Sequence, residues 1–389
     1  MRTVASLALL FVFLVAITLQ AAGPSPDNTL PDRIDSIFSG LIQPSDPGLA
    51  VLVKKDGKVL FERGYGVRDL RSNAKIDSQT NFRLASFTKQ FTAMAIMLLV
   101  HDGKLRYDEH LTDVFRDFPD YGKAITIRNL LNHTSGLPDY EELMDAQEKK
   151  GGPKWSPEHQ IHDEEVLALL ETQTVGRFAP GMRWEYSNSG YVVLGLIVAK
   201  VSGMPYREFL QQRIFTPLQM NHTLVYEKDT NTISERAFGH SKEGGKLVET
   251  DQSATSATLG DGGIYSNVAD LAKWDESLTK HTLLSAQEME PALTPVRLAD
   301  GSEPHSPPDP HATNSGAPAV AKDGFGWFLD PYKGHARNYH DGETQGFRTT
   351  IQRFINDHIS IVILSNRTDL NPNELSLKVA DLLFQPTTH

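Results

Sequence analysis

Hydrophobic and polar positions follow two different regimes along this chain. Near each end, short runs rich in β-branched and aromatic residues are broken by turn dipeptides. AVLVKK and KVLFERGYG, within residues 48–65, meet at Asp56-Gly57, and Phe347–Phe354 and Ile359–Leu364 flank Asn356-Asp357. Each pair predicts a β-hairpin, because Asn and Asp tolerate the left-handed backbone that a tight reversal needs and Gly adopts it freely. In the middle the period changes. FTAMAIMLLVH, from Phe91 to His101, is apolar almost all round and predicts a helix buried on every side. Further helices are predicted after Thr126, in HDEEVLALLETQ and in YVVLGLIVAKV (Tyr191–Val201), with a first helix near Asp32–Leu41 and a last one over Asn373–Phe384.

β-rich ends around a helical middle predict an α+β fold: one antiparallel sheet shared by the two ends and flanked by helices, with a mostly helical lobe inserted. The expected sheet lobe covers about 30–95 and 325–389, and the helical lobe about 96–298. Ala299–Asp323, crowded with Pro, Ser, Gly and Asp, is expected to be a long surface loop that borders the cleft.

Composition narrows the function classes. With 389 residues, 39% hydrophobic and 22% charged, the chain has the makeup of a globular protein and can bury a large core. A net charge of −11 without any Lys/Arg cluster gives no footprint for nucleic acid. The absence of cysteine excludes disulfides, thiolate metal sites and a Cys nucleophile. Arg2, the apolar run Val4–Leu19 and the small residues Ala21, Ala22 and Gly23 follow the order of a secretory signal over residues 1–22. The alternative is a retained anchor, since the run approaches the ~18 residues that begin to span a bilayer. A cleaved signal implies a periplasmic or secreted protein, a catalytic unit over 24–389 and no stable membrane span.

Chemistry enters with a Ser followed three residues later by a Lys, since on a helix the amine can then lie against the hydroxyl. The pattern occurs three times: Ser72 to Lys75, Ser86 to Lys89 and Ser277 to Lys280. Ser72 sits in a polar connection and Ser277 near the end of DLAKWDESLTK, both readable as solvated residues. Ser86 opens the strongly apolar helix, where free backbone N–H groups and the positive end of the dipole suit an acyl-transfer oxyanion. Local sequence equally permits Ser86 to be a helix cap with Lys89 reaching to water.

FRLASFTKQFTAMAIMLLV resembles the SxxK region of class C β-lactamases, DD-peptidases and related esterases, and LLNHTSGLPDY resembles their next block. PGMRWEYSNSGYVVLGLIVAKVSGMPYREF, IFTPLQMNHT, GDGGIYSNVADLAKW, GFGW and HDGETQGF follow in the same order over nearly all of the mature chain. The resemblance implies a β-lactamase/transpeptidase-like fold and Ser86 as nucleophile. It selects Tyr186-Ser187-Asn188 over the rival Tyr265-Ser266-Asn267, whose Ser or Asn can cap the next helix above Asp270. It likewise selects His340-Asp341-Gly342 over His101-Asp102-Gly103, where the Gly reads as a helix stop, and over Lys322-Asp323-Gly324, which leads into GFGW.

By that resemblance Ser86, Lys89 and Tyr186 are catalytic, a neighbouring ammonium favouring the Tyr186 phenolate or relaying its proton. Asn188, His340, Gly342 and Glu343 bind substrate, and the N–H groups of Ser86 and Glu343 form the oxyanion hole. No cofactor or metal is implied; His159, His162, Asp163 and Glu164 begin an ordinary charged helix and no HExxH occurs. The absence of GxSxG argues against an α/β-hydrolase. His340 departs from the Lys usual in class C β-lactamases and is cationic only at low pH unless its pKa is raised. Asp341 would repel a substrate carboxylate unless it points away. The expected activity is hydrolysis of a small-molecule or peptide substrate, an amide or ester, through an acyl-enzyme. The alternatives are a β-lactamase or a non-catalytic penicillin-recognising module. His133 is expected to organise its loop.

Overall fold

Both turns predicted near the chain ends close hairpins in the computed structural model, which describes residues 29–305 and 320–385. The expected signal at residues 1–22 and the centre of the Pro- and Ser-rich stretch lie outside the described residues. Asp56 and Gly57, at φ 50° and 75°, join β1 (Leu49–Lys55) to β2 (Lys58–Tyr65), the backbone a two-residue hairpin loop demands. Short strands follow: β3 (Val67–Asp69) pairs with β4 (Ala74–Lys75), and β5 (Phe82–Arg83) and β6 (Leu224–Val225) lie far apart in sequence. β7 (His240–Glu243) pairs with β8 (Lys246–Glu249), and β9 (Ile264–Ser266) stands between β5 and β6. The last three strands are β10 (Arg337–Thr344), β11 (Phe347–Phe354) and β12 (Ile359–Ser365).

The main sheet has the order β10-β11-β12-β1-β2 and is antiparallel throughout. β1 pairs with β12 from Leu49 opposite Ser365 to Lys55 opposite Ile359, so the two chain ends do share one sheet. Side chains alternate across it. Leu49, Val51, Val53, Ile361 and Ile363 pack on one face against Ile34 and Phe38 of α1 (Leu30–Phe38) and against the C-terminal helix. Ala50, Leu52, Ile351, Val362 and Leu364 enter the main core on the other face. Covered on both sides, β1 is buried at every position except its last.

The inserted lobe holds α2 (Lys89–His101), α3 (Leu111–Val114), α4 (Ile127–Leu131), α5 (Tyr140–Lys149), α6 (Asp163–Glu171), α7 (Asn188–Ser202), α8 (Tyr206–Leu210), α9 (Val268–Lys280) and α10 (Ala286–Met289); α11 (Pro372–Phe384) ends the fold. α2 is buried from Lys89 to Leu99, as its all-round apolar pattern predicts, and packs on α7. No single described helix is long and apolar enough to cross a membrane.

Three details differ from expectation. α1 begins at Leu30 and stops at Phe38, because Thr29 and Asp32 form a capping box at its start. α2 runs unbroken across the expected lobe boundary at residues 95–96, and the helical lobe also carries β6 to β9. The far end of the supposed surface loop is interior: Ala321 and Asp323 are 5% and 1% exposed.

Candidate active site

Ser86 lies in a single 3-10 turn, Ala85–Thr88, that leads directly into α2. Between Thr80 and Leu99 it is the one residue that is not buried. Ala85 before it takes φ 51°, a left-handed conformation that costs an L-residue about 1–2 kcal/mol and persists only where the surroundings hold it. Those surroundings are specific. Leu84 N–H donates to Ile264 O at 2.8 Å, and Thr349 Oγ1 donates to Leu84 O at 2.8 Å, so β9 and β11 fix the turn from two sides.

Lys89 is fully buried, and its Nζ donates to Ser86 Oγ (3.1 Å), Asn188 Oδ1 (2.8 Å) and Asp261 O (3.0 Å). Burial pulls its pKa down to about 8, with Asp261 and Glu141 opposing. Asn188 reaches Lys89 because it is the first residue of α7, entered through the Ser187 cap. The cap segment hangs on His133, itself at φ 60°. Its Nδ1 accepts from Ser187 N–H at 3.0 Å, and its ring lies 4.5 Å from the Tyr186 ring. Burial and nearby Lys89 hold this imidazole neutral.

The Tyr186 ring lies 4.9 Å from Lys89 Nζ. Burial pushes its phenol well above the ordinary value; the Ser86 hydroxyl opposes this, and Asp261, Asp323 and Asp341 add to it. Burial thus favours the protonated phenol, which fits the second of the two expected roles of the neighbouring ammonium, relaying the Tyr186 proton, better than the first, favouring its phenolate.

Tyr339 exchanges N–H and C=O bonds with Phe328 (2.8 and 2.9 Å) on the free edge of β10. In an antiparallel pair such outward residues alternate, so the N–H of Glu343, four residues on, also faces this edge, where β10 lies against the Ser86 turn. A Cβ on Gly342 would stand 2.1 Å from Leu84 O and 2.3 Å from Thr349 Oγ1, so only glycine lets β10 approach this closely. His340 is 2% exposed, and its Nδ1 meets Asp341 O at 2.6 Å. Burial and Lys89 lower its pKa to about 3, leaving it neutral. Asp341 points to the opposite face, accepting from Thr350 Oγ1 and Asn373 Nδ2, each at 2.6 Å.

Ser86, Lys89, Tyr186, Asn188, His340, Gly342 and Glu343 thus converge, and the rival motifs lie elsewhere except Lys322-Asp323-Gly324, whose Asp323 is buried beside the Tyr186 loop. Ser72 donates to Asp69 on the surface, Ser277 to Trp274 O within α9, and Asn267 caps α9 at Asp270 N–H. Gly103, at φ 68°, follows α2. His162 caps α6 while Asp163 accepts from Leu259 N–H. Among the described residues no three His, Asp or Glu are grouped to hold a metal. Sequence reasoning missed Asp261, whose carbonyl holds Lys89, and Glu141, whose charge acts on it; the GDGG and PDYEE segments carry no catalytic signature of their own.

The chain matches the Beta-lactamase family over residues 34–385. It is 31% identical over 368 residues to penicillin-binding protein 4* of Bacillus subtilis strain 168, covering 90% of this chain and 76% of that one. The octameric penicillin-binding protein homologue from Pyrococcus abyssi superposes with TM-score 0.72 at 27% identity, over 91% of this chain and 76% of its own. D-amino acid amidase from Ochrobactrum anthropi SV3, in complex with L-phenylalanine amide, superposes with TM-score 0.72 at 25% identity, over 91% and 97%. A sheet built from both chain ends, a serine turn feeding a buried helix and a match that spans almost all described residues lead to one assignment: the chain belongs to the β-lactamase family.

Proposed function

We propose that the protein is a serine hydrolase that forms an acyl-enzyme on Ser86 and acts on an amide, peptide or ester, and that it is exported to the periplasm or secreted. The observation that carries the catalytic reading is Lys89: a buried amine 3.1 Å from Ser86 Oγ whose pKa lies at about 8. Near neutral pH a usable fraction is unprotonated and can take the serine proton. Ser86 Oγ then attacks the carbonyl carbon, and the oxyanion forms between the N–H groups of Ser86 and Glu343. Tyr186, protonated as its burial requires, donates to the leaving group as the tetrahedral adduct collapses and recovers its proton from the Lys89 ammonium. Water resolves the acyl-enzyme by the same route in reverse. Asn188 keeps Lys89 aimed and offers its amide to the substrate.

The charges around the site favour uncharged or ammonium-bearing substrates over carboxylates. Asp261 and Glu141 act on Lys89, and neutral His340 supplies no cation to hold a carboxylate. This supports amide substrates of the kind named for the amidase neighbour ahead of β-lactams.

The test is intact-protein mass after exposure to a fluorophosphonate and, separately, to a penicillin, for wild type, Ser86→Ala and the control Ser72→Ala. The expected result is a fluorophosphonate adduct lost only in Ser86→Ala, with slower addition of penicillin. An adduct that survives Ser86→Ala would overturn the assignment. A penicillin adduct that never turns over would favour a penicillin-recognising module.

A further inference from the structure

Asp323 is 1% exposed, and the cations of the described residues do not shape its environment. Its Oδ2 accepts the Trp184 indole N–H at 3.0 Å, and its carbonyl accepts from Val296 N–H at 2.8 Å. A buried carboxyl without a cation is costly and is retained where it does something.

Asp323 stands at the head of a bracket that touches Tyr186, His340 and the backbone of Lys89. Trp184 lies two residues before Tyr186 and packs edge-on against His133 at 6.1 Å. Five residues after Asp323, and bridged to it, Phe328 stacks on the Tyr186 ring at 6.4 Å and 20° and lies 5.2 Å from His340. Between them Gly326, at φ 72°, approaches so closely that a Cβ would meet Lys89 O at 2.8 Å. Segment 323–328 therefore spans Tyr186, the backbone of Lys89 and β10, and the Trp184 bond adds a buried side-chain hydrogen bond to the Phe328 stacking that joins it to the Tyr186 loop.

We propose that Asp323 is a positioning residue: by holding Trp184 it clamps the Tyr186 loop to the 323–328 bracket and so sets the Tyr186 hydroxyl against Ser86 and Lys89. The inference rests on the reading of Ser86, Lys89 and Tyr186 given above. Burial raises the Asp323 carboxyl to about 8, so it receives the indole N–H mainly as a neutral acid at neutral pH. Asparagine, neutral and of the same shape, is therefore the conservative replacement.

The experiment measures the maximal rate and half-saturating concentration of fluorophosphonate acylation of Ser86 in full-length wild type, Asp323→Asn, Asp323→Leu and Trp184→Phe, with circular dichroism to confirm folding. Asp323→Leu and Trp184→Phe, which break the bond from either side, are expected to lower the maximal rate about 10- to 100-fold with little change in half-saturation. Asp323→Asn is expected to stay within about threefold of wild type, since it keeps the acceptor. Wild-type rates in folded Asp323→Leu or in Trp184→Phe, or a loss in Asp323→Asn as deep as in Asp323→Leu, would overturn the proposal. If Asp323→Leu does not fold, Trp184→Phe and Asp323→Asn decide it. A wild type with no Ser86-dependent adduct would instead defeat the underlying reading, and this inference with it.

Discussion

In the reading proposed above, Lys89 sets the working pH of the site. Its ammonium dominates below about 8 and its amine above. If the amine accepts the serine proton, acylation should climb about tenfold per pH unit and then level off near 8. Glu141 holds the Lys89 pKa up, so Glu141→Gln should lower it further and move the rising limb toward acid. Rates of fluorophosphonate addition across the neutral and alkaline range would show this; an unmoved limb would mean that Lys89 is not the titrating group. His340 should add no limb of its own in the physiological range, because burial and Lys89 keep it neutral there.

At the scale of elements, the site depends on how closely β10 approaches the Ser86 turn, and Gly342 sets that approach. In Gly342→Ala the new methyl meets Leu84 O, a backbone atom pinned by Thr349, so the strand itself must move. Acylation should fall about 100-fold, as expected for a displaced oxyanion donor, and stability by about 1–3 kcal/mol from overpacking. Acylation kinetics and a urea midpoint check both; an unaffected rate would place the oxyanion donor elsewhere. The two hairpins at Asp56-Gly57 and Asn356-Asp357 and the long apolar helices are legible in the sequence because each repeats its pattern over many residues, whereas the β7–β8 and β10–β11 pairs are not anticipated. β5 and β6 are not, since two residues carry no period. The site motifs are legible by order and spacing, and their rivals are separated by context, as with Asn267 capping α9. Asp323 is hidden from such reading. It stands in a polar, Pro-rich stretch that looks exposed, and its side-chain partner in the interior is Trp184, 139 residues away in sequence.

At the scale of the whole molecule, Asp275 ties the helical lobe to the sheet. From α9 it accepts from Lys54 Nζ of β1 (2.8 Å), Arg353 Nε of β11 (2.8 Å) and Ser360 Oγ of β12 (2.5 Å). Burial alone would raise its pKa, but Arg353 and Lys54 more than offset that and hold it below the usual carboxylate range. The folded value lies below the unfolded one, so this stabilisation is complete above the unfolded pKa of ~3.9 and is lost as pH falls through the folded value. Asp275→Asn should cost about 3–5 kcal/mol near neutral pH, since it strands two buried cations, and should flatten the acid side of the stability profile. Denaturation series at several pH values would test this, and a neutral-pH loss below about 1 kcal/mol would leave Asp275 no such role. The pairing of β1 with β12 has a further consequence for how the molecule comes into being. β1 is made about three hundred residues before its partner β12, and β10 joins the sheet only through β11 and β12. Contacts so distant in sequence form slowly. In the reading proposed above, a growing chain therefore carries Ser86 long before the strand that would face a substrate carbonyl can dock, and acylation is expected only once β10, β11 and β12 have joined the sheet.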